Sequence, residues 1–201
     1  MLKWVEIDLG TLACNVKAVK KALNPGTAFM AVVKADGYGH GAAAVGRAAL
    51  ANGADCLGVL TAEEGAALRA ELPRAEIHLL APSLPEEAPL IVRHGLVPTV
   101  DSIGLIKALD AAAAKTVRYH IDIDLGLGRW GVKPGAAGRL LKAALKFRKA
   151  VPYGVSAHLA YRPAQNMIEA EEKLSAFGGL AEELRRLAPG EQPHPETHMG
   201  S

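Results

Sequence analysis

The apolar positions of this chain follow two rhythms that take turns along its length. Short unbroken apolar runs read as strands buried on both faces, and stretches with apolar residues three and four apart read as helices. Trp4-Val-Glu-Ile-Asp8 alternates apolar with polar and predicts a half-exposed strand. Leu12, Val16, Val19 and Leu23 mark a helical stripe over Thr11–Leu23, which Asn24-Pro25-Gly26 stops. Ala28-Phe-Met-Ala-Val-Val33 predicts the first buried strand, with Lys34 where it ends and a helix over Ala42–Ala51 behind it.

The same two beats then repeat. Strands are expected at Asp55–Leu60, Glu76–Ala81, Leu96–Val100, Thr116–Ile123 and Tyr153–His158. Helices are expected over Ala62–Leu72 and Pro85–His94, then from a cap at Asp101 or Ser102 to Ala114. Two more follow over Ala136–Lys149 and Ala164–Leu187, and Thr197-His-Met199 begins a seventh strand. Six βα units and the start of a seventh, with no change of composition between them, predict an α/β fold and a single domain over residues 1–201. Because a helix follows every strand, the pattern fits an incomplete (β/α)8 barrel of the TIM type. In such a barrel the chemistry sits at the C-terminal ends of the strands, where Lys34 falls.

Composition narrows the picture modestly. Half of the 201 residues are hydrophobic, enough for one substantial core, and 4% aromatic content suits helices packed on a sheet. With 23 basic and 21 acidic side chains there is no large single-sign field, so nucleic acid is not an expected partner. The basic residues of Arg139 to Lys149 recur at helical spacing and read as a solvated face. No run approaches the roughly 18 apolar residues of a membrane span. Glu6 and Asp8 precede any long apolar stretch, so no signal peptide is expected, and the expected localisation is cytoplasmic. Cys14 and Cys56 read as reduced core thiols, one in a helix and one in a strand.

Three motifs invite chemistry. Gly126-Leu-Gly128-Arg-Trp-Gly131 follows a strand and fits G-x-G-x-x-G, but a dinucleotide site also needs an acidic residue roughly 20 positions on. No acidic residue lies between Asp124 and Glu169, and Pro134 delays the helix that would receive the pyrophosphate. His120, Asp122 and Asp124 alternate on one strand face and, with His158, offer nitrogen and oxygen ligands for a metal. The same alternation also suits an inward hydrogen-bonded layer without metal, the favoured reading. Lys34 alone reads as a stem that carries its ammonium to water. Its company is Tyr38, in a loop whose glycines leave amides free to approach an anion, with a helix N-terminus behind. A lysine beside a phosphate-sized anion site at a barrel mouth is what a pyridoxal phosphate (PLP) lysine requires.

Ala31-Val-Val-Lys-Ala-Asp-Gly-Tyr-Gly-His-Gly41 resembles the PLP-attachment signature of the alanine racemases. The resemblance continues through Trp4 to Leu9, Thr61 to Arg69, Asp124 to Gly131 and Val155 to Ala160, in order across nearly the whole chain. It implies a PLP-dependent isomerase that interconverts L- and D-alanine and supplies D-alanine for peptidoglycan. It implies that Lys34 carries the cofactor and acts as one of two bases, and that Tyr38 contacts the phosphate. Arg129 would lie beside the cofactor's phenolic oxygen and the substrate carboxylate, and His158 would pack on the pyridine ring. The second base would be a tyrosine of a C-terminal β domain beyond this chain, contributed across a homodimer. Where the family often has a carbamylated lysine, seven residues before Arg129, this chain has Asp122. The family's phosphate-binding serine would fall at or just past Ser201. Two other readings stand beside this one: a non-catalytic PLP-binding carrier or regulator, and a metal-dependent barrel hydrolase using His120, Asp122, Asp124 and His158.

Overall fold

Asp8 opens the first helix rather than closing a strand. Its carboxylate accepts from the Gly10 and Thr11 amides at 2.8 and 3.0 Å and from the Thr11 hydroxyl at 2.7 Å. The alternating residues before it therefore form no strand: Trp4 is 75% and Val5 84% exposed. A period-two pattern makes a strand only where a neighbour pairs with it, and none does here among the described residues. The computed structural model describes residues 3–160, 163–187 and 196–200. It divides into two compact units, Met1–Leu80 and Ala81–Ser201.

In the first unit α1 (Leu9–Ala22) is followed by β1 (Met30–Val32), a one-turn helix α2 (Lys34–Tyr38), and α3 (Ala42–Ala51). Then come β2 (Cys56–Val59), α4 (Ala62–Glu71) and β3 (Ile77–Pro82). The strands pair in parallel, β1 with β2 and β2 with β3, each pair joined by a helical crossover. Val16, Ala49 and Ala54 form a core with Leu12, Phe29, Ala31 and Leu50 packed against it. Asp55 ties the unit's edge, accepting from Lys20 at 2.6 Å and from the Phe29 amide at 2.7 Å. The first strand is shorter and more open than its six apolar residues predict. β2 is its sole pairing partner among the described residues, and Val32 is 40% exposed. Cys14 is exposed and Cys56 half-buried, so the expectation of two core thiols fails: Cys14 faces water on α1.

The second unit runs through a 3-10 turn (Pro85–Glu87), α5 (Ala88–His94), β4 (Val97–Val100), α6 (Ile103–Ala112) and β5 (Val117–Ile123). It continues with α7 (Pro134–Ala144), β6 (Ala150–His158), α8 (Pro163–Leu187) and β7 (Glu196–Gly200). Strands β4 to β7 pair in parallel in chain order. Leu105, Ile106, Leu109, Ile121, Ile123 and Leu141 are fully buried, each worth about 1.5–3 kcal/mol of apolar burial. Ser102 caps α6. The seventh strand begins where the pattern places it. The helix expected to reach Lys149 stops at Ala144, because the Asp110 carboxylate of α6 takes the Lys149 and Ala150 amides at 2.7 and 3.1 Å. Those amides start β6, which is three residues longer at its N-terminus than Tyr153–His158. Arg139, Lys142 and Arg148 are exposed, as a solvated face requires. The β5–β6 register shifts between Tyr119 and His120: Tyr119 faces Pro152, His120 faces Gly154, and Tyr153 is the extra residue. The Tyr153 ring stacks on His120 and lies under Arg118.

Candidate active site

Lys34 begins a left-handed turn. Ala35, Asp36 and Gly37 have φ/ψ of 50/49°, 53/47° and 63/34°, and Tyr38 has φ of 56°. Left-handed helical backbone costs L-residues about 1–2 kcal/mol each, so Ala35, Asp36 and Tyr38 hold real strain. Hydrogen bonds hold it in place. The Gly37 amide donates to the Val33 carbonyl at 2.8 Å, and the Gly41 amide to the Asp36 carbonyl at 2.8 Å. The Asp36 carboxylate accepts from the Ala42 amide at 2.8 Å and so caps α3. His40 Nδ1 lies 3.0 Å from the Gly37 carbonyl and 3.1 Å from that of Tyr38. Gly37 is buried, and a Cβ there would sit 3.3 Å from the Ala42 nitrogen at a φ of +63°, so a side chain would be both crowded and strained.

This corrects the expectation of free loop amides. Gly37, Gly39, His40, Gly41 and Ala42 all spend their amides inside the turn. What the turn leaves for an anion is the side chain of Tyr38, 60% exposed. Lys34 is half-buried, and its side chain forms no hydrogen bond or ion pair among the described residues. The Ala35 amide donates to Glu64 Oε1 at 2.8 Å, and the Leu60 amide to Glu64 Oε2 at 2.7 Å. Glu64 was missed as a site residue, although Thr61-Ala-Glu-Glu64 carries a capping-box spacing.

In the second unit, Asp122, Asp124, Leu127, Arg129, Trp130 and His158 line one small depression at the C-terminal ends of β5 and β6. Of the residues the sequence singles out here, Asp122, Arg129 and His158 are thus brought together. A larger cavity lies at the opposite ends of β4 and β5, between Leu96, Val97, Thr116 and Val117, away from these side chains. Ser156, unanticipated as a partner, donates its hydroxyl to Asp122 Oδ1 at 2.8 Å. Burial pushes the Asp122 carboxyl up to about 6, and the charges of Asp101 and Asp124 add to the rise. The Ser156 hydrogen bond and the Arg129 charge oppose it. The Arg129 guanidinium stacks 3.7 Å from the Trp130 ring centre, which covers its face and leaves its in-plane N–H groups for anionic oxygens.

The loop between them is held by Asp124, whose Oδ1 accepts from the Gly126 and Gly128 amides at 2.9 and 3.0 Å. Those amides hold the Asp124 carboxyl below the usual carboxylate range. Asp124 is therefore committed to its own loop, and no group of three metal-capable side chains occurs among the described residues. Of the layer expected on this face, the Asp122–Ser156 hydrogen bond is present, while Asp124 bonds its own loop. The glycine pattern serves the same loop: it closes on Asp124, and α7 starts only at Pro134. Lys34 and Tyr38 belong to the first unit, Arg129 and His158 to the second. Ser201 lies outside the described residues.

Among the described residues no helix is long and apolar enough to cross a membrane. Residues 7–200 match the family described as alanine racemase, N-terminal domain. The chain is 41% identical to an alanine racemase of Desulfovibrio desulfuricans over 67% of its length and 37% of that protein. It is 34% identical to one of Symbiobacterium thermophilum over 97% of its length and 55% of that protein. Its fold superposes on the crystal structure of the Bacillus anthracis alanine racemase with bound L-Ala-P at a TM-score of 0.83 and 26% identity. That match covers 98% of this chain and 51% of the other. The chain spans about half the length of the relatives it matches along its whole length. With parallel βα units and a match from residue 7 to residue 200, the chain belongs to the alanine racemase N-terminal domain family.

Proposed function

We propose that this chain is the PLP-binding part of an amino-acid racemase that interconverts L- and D-alanine, with residues 1–201 as one cofactor domain. The observation that carries the reading is the Lys34 turn: a strained left-handed segment, fixed by its own amides, that presents a lysine without a partner among the described residues. Such strain persists where the surroundings over-determine it, and it clusters at functional sites.

The residues suit the cofactor chemically. Lys34 would hold it covalently, Tyr38 would donate its phenol to the phosphate, and His158 would lie flat against the ring. Arg129, its face covered by Trp130, directs N–H groups in one plane and suits the phenolic oxygen and a substrate carboxylate. When bound, PLP supplies an electron sink for the charge left at the substrate Cα. As a free amine Lys34 would take or return the Cα proton on its own face, and by resemblance Arg129 would hold the carboxylate. Inversion also needs a proton donor on the other face. By resemblance this is a tyrosine from a C-terminal domain, contributed in a homodimer. A soluble, cytoplasmic supply of D-alanine for peptidoglycan fits this reading, and the L-Ala-P bound by the Bacillus anthracis relative supports an alanine-sized substrate.

The test joins two measurements. After incubation with PLP and borohydride reduction, peptide mass spectrometry of this chain should find the label on Lys34, and Lys34→Ala should lose it. The complete gene product should convert L-alanine to the racemic mixture. Labelling elsewhere, or a complete gene product that leaves L-alanine unchanged, overturns the proposal.

A further inference from the structure

The ladder between β1 and β2 ends in an unusual way. Its register, Val32 opposite Gly58, continues to the Val33 amide, which donates to the Gly58 carbonyl at 2.8 Å. A parallel ladder would next run from the Leu60 amide to the Val33 carbonyl, then from the Ala35 amide to the Leu60 carbonyl. The Val33 carbonyl instead accepts from Gly37 at 2.8 Å, inside the left-handed turn. Both amides that the ladder would have used are taken by one carboxylate: Ala35 by Glu64 Oε1 at 2.8 Å, Leu60 by Glu64 Oε2 at 2.7 Å.

Glu64 is the third residue of α4, whose N-cap Thr61 accepts from the Glu64 amide at 3.3 Å. In an ordinary capping box its carboxylate would return to the N-cap amide. Here it reaches one residue further back and across to the neighbouring strand. We propose that Glu64 is the positioning residue that ends β1 at Val33 and fixes the backbone from which Lys34 projects; this rests on the reading of Lys34 as the cofactor lysine. The carboxylate acts as a wedge. With both amides held in charge-assisted bonds, the ladder cannot close past Val33, and the chain turns left-handed at Ala35. Only a carboxylate of this length serves. Glutamine offers one carbonyl oxygen and turns an NH2 toward the other amide, and aspartate is one methylene short of spanning both strands.

The experiment uses PLP with borohydride trapping on the full chain, and peptide mass spectrometry to compare Lys34 with the other lysines of the same molecule from pH 6 to 10. Far-UV circular dichroism and thermal melting run in parallel. In the unaltered chain the label should favour Lys34 at least tenfold. In Glu64→Gln and Glu64→Ala that preference should fall at least tenfold at every pH, with a cooperative melt retained. If Glu64→Ala does not fold, Glu64→Gln decides alone. Variants that label Lys34 with the preference of the unaltered chain overturn the positioning role and leave the cofactor reading intact. An unaltered chain with no preference for Lys34 overturns that reading, and the role of Glu64 with it.

Discussion

The Lys34 turn and the Arg129 loop are both glycine-rich, and both leave the C-terminal end of a parallel strand, yet they are held by opposite means. In the Lys34 turn the backbone binds itself, and three non-glycine residues take left-handed conformations. In the Arg129 loop the positive φ values fall only on Gly126, Gly128 and Gly131, and the Asp124 side chain gathers the amides. The first segment is strained and fixed by its surroundings; the second is relaxed, gathered by Asp124 and anchored at its end by Asp101 and the backbone bonds of Val132 with Asp122 and Asp124. Gly131 in the loop is therefore held to glycine by space as well as by its φ, and Gly39 in the turn by its φ alone.

The largest effect should come from Gly131→Ala. A Cβ there would sit 2.6 Å from Asp122 Oδ2 and 2.9 Å from the Asp124 nitrogen, at a φ of +92°. A loss of about 2–4 kcal/mol in urea unfolding is expected. Gly39→Ala, at φ +82° with nothing within 4 Å, should cost only about 1 kcal/mol. Equal costs at the two sites would break the distinction between space and handedness.

Asp122→Asn comes next. Its carboxyl is raised to about 6 in the fold, above the 3.8 of the free group. The folded chain thus binds the proton more tightly, and stability falls as pH rises through about 6. Asparagine keeps an acceptor for Ser156 without the charge. It should stabilise the chain at pH 7.5 by up to about 3 kcal/mol and change little near pH 4. Asp124 has the opposite sign: its depressed pKa gives a contribution present at neutral pH and lost in acid. Thermal melts of both proteins across pH 4 to 8 check this, and a difference independent of pH would refute it. The smallest effect is a gain. Ala35→Gly releases left-handed strain at φ 50° and should raise stability by about 0.5–1 kcal/mol in the same urea titration. A loss would mean that the turn is not strained at Ala35.

Much of the fold could be read directly. Apolar spacing with Pro and Gly stops locates the strands and helices, since those signals are local. What escaped was set by residues far away in sequence. The left-handed course of Ala35 depends in part on Glu64, 29 positions on, and nothing in Ala-Asp-Gly-Tyr announces its hand. The helical spacing of Arg139 to Lys149 is broken at Ala144 by Asp110, 39 residues before the amide of Lys149 that it takes. Trp4 to Asp8 alternates like a strand, but the local cap at Asp8 and the lack of a pairing neighbour among the described residues prevail. Among the candidate residues, Lys34, Tyr38, Arg129 and His158 stand out by motif. Glu64, Ser156 and Trp130 do not, because their roles come from contacts rather than from their own spacing.

The bulge at Tyr153 also says where β6 can change length. Because Tyr153 is the unpaired member of the β5–β6 ladder, its deletion would leave Gly154 opposite His120 and Ser156 opposite Asp122. A residue lost after Gly154 would instead turn Ser156 to the opposite face, away from Asp122. Insertions and deletions in this strand are therefore tolerable on one side of the bulge and ruinous on the other. Related chains should vary in β6 length before Gly154 and keep it constant from there to His158.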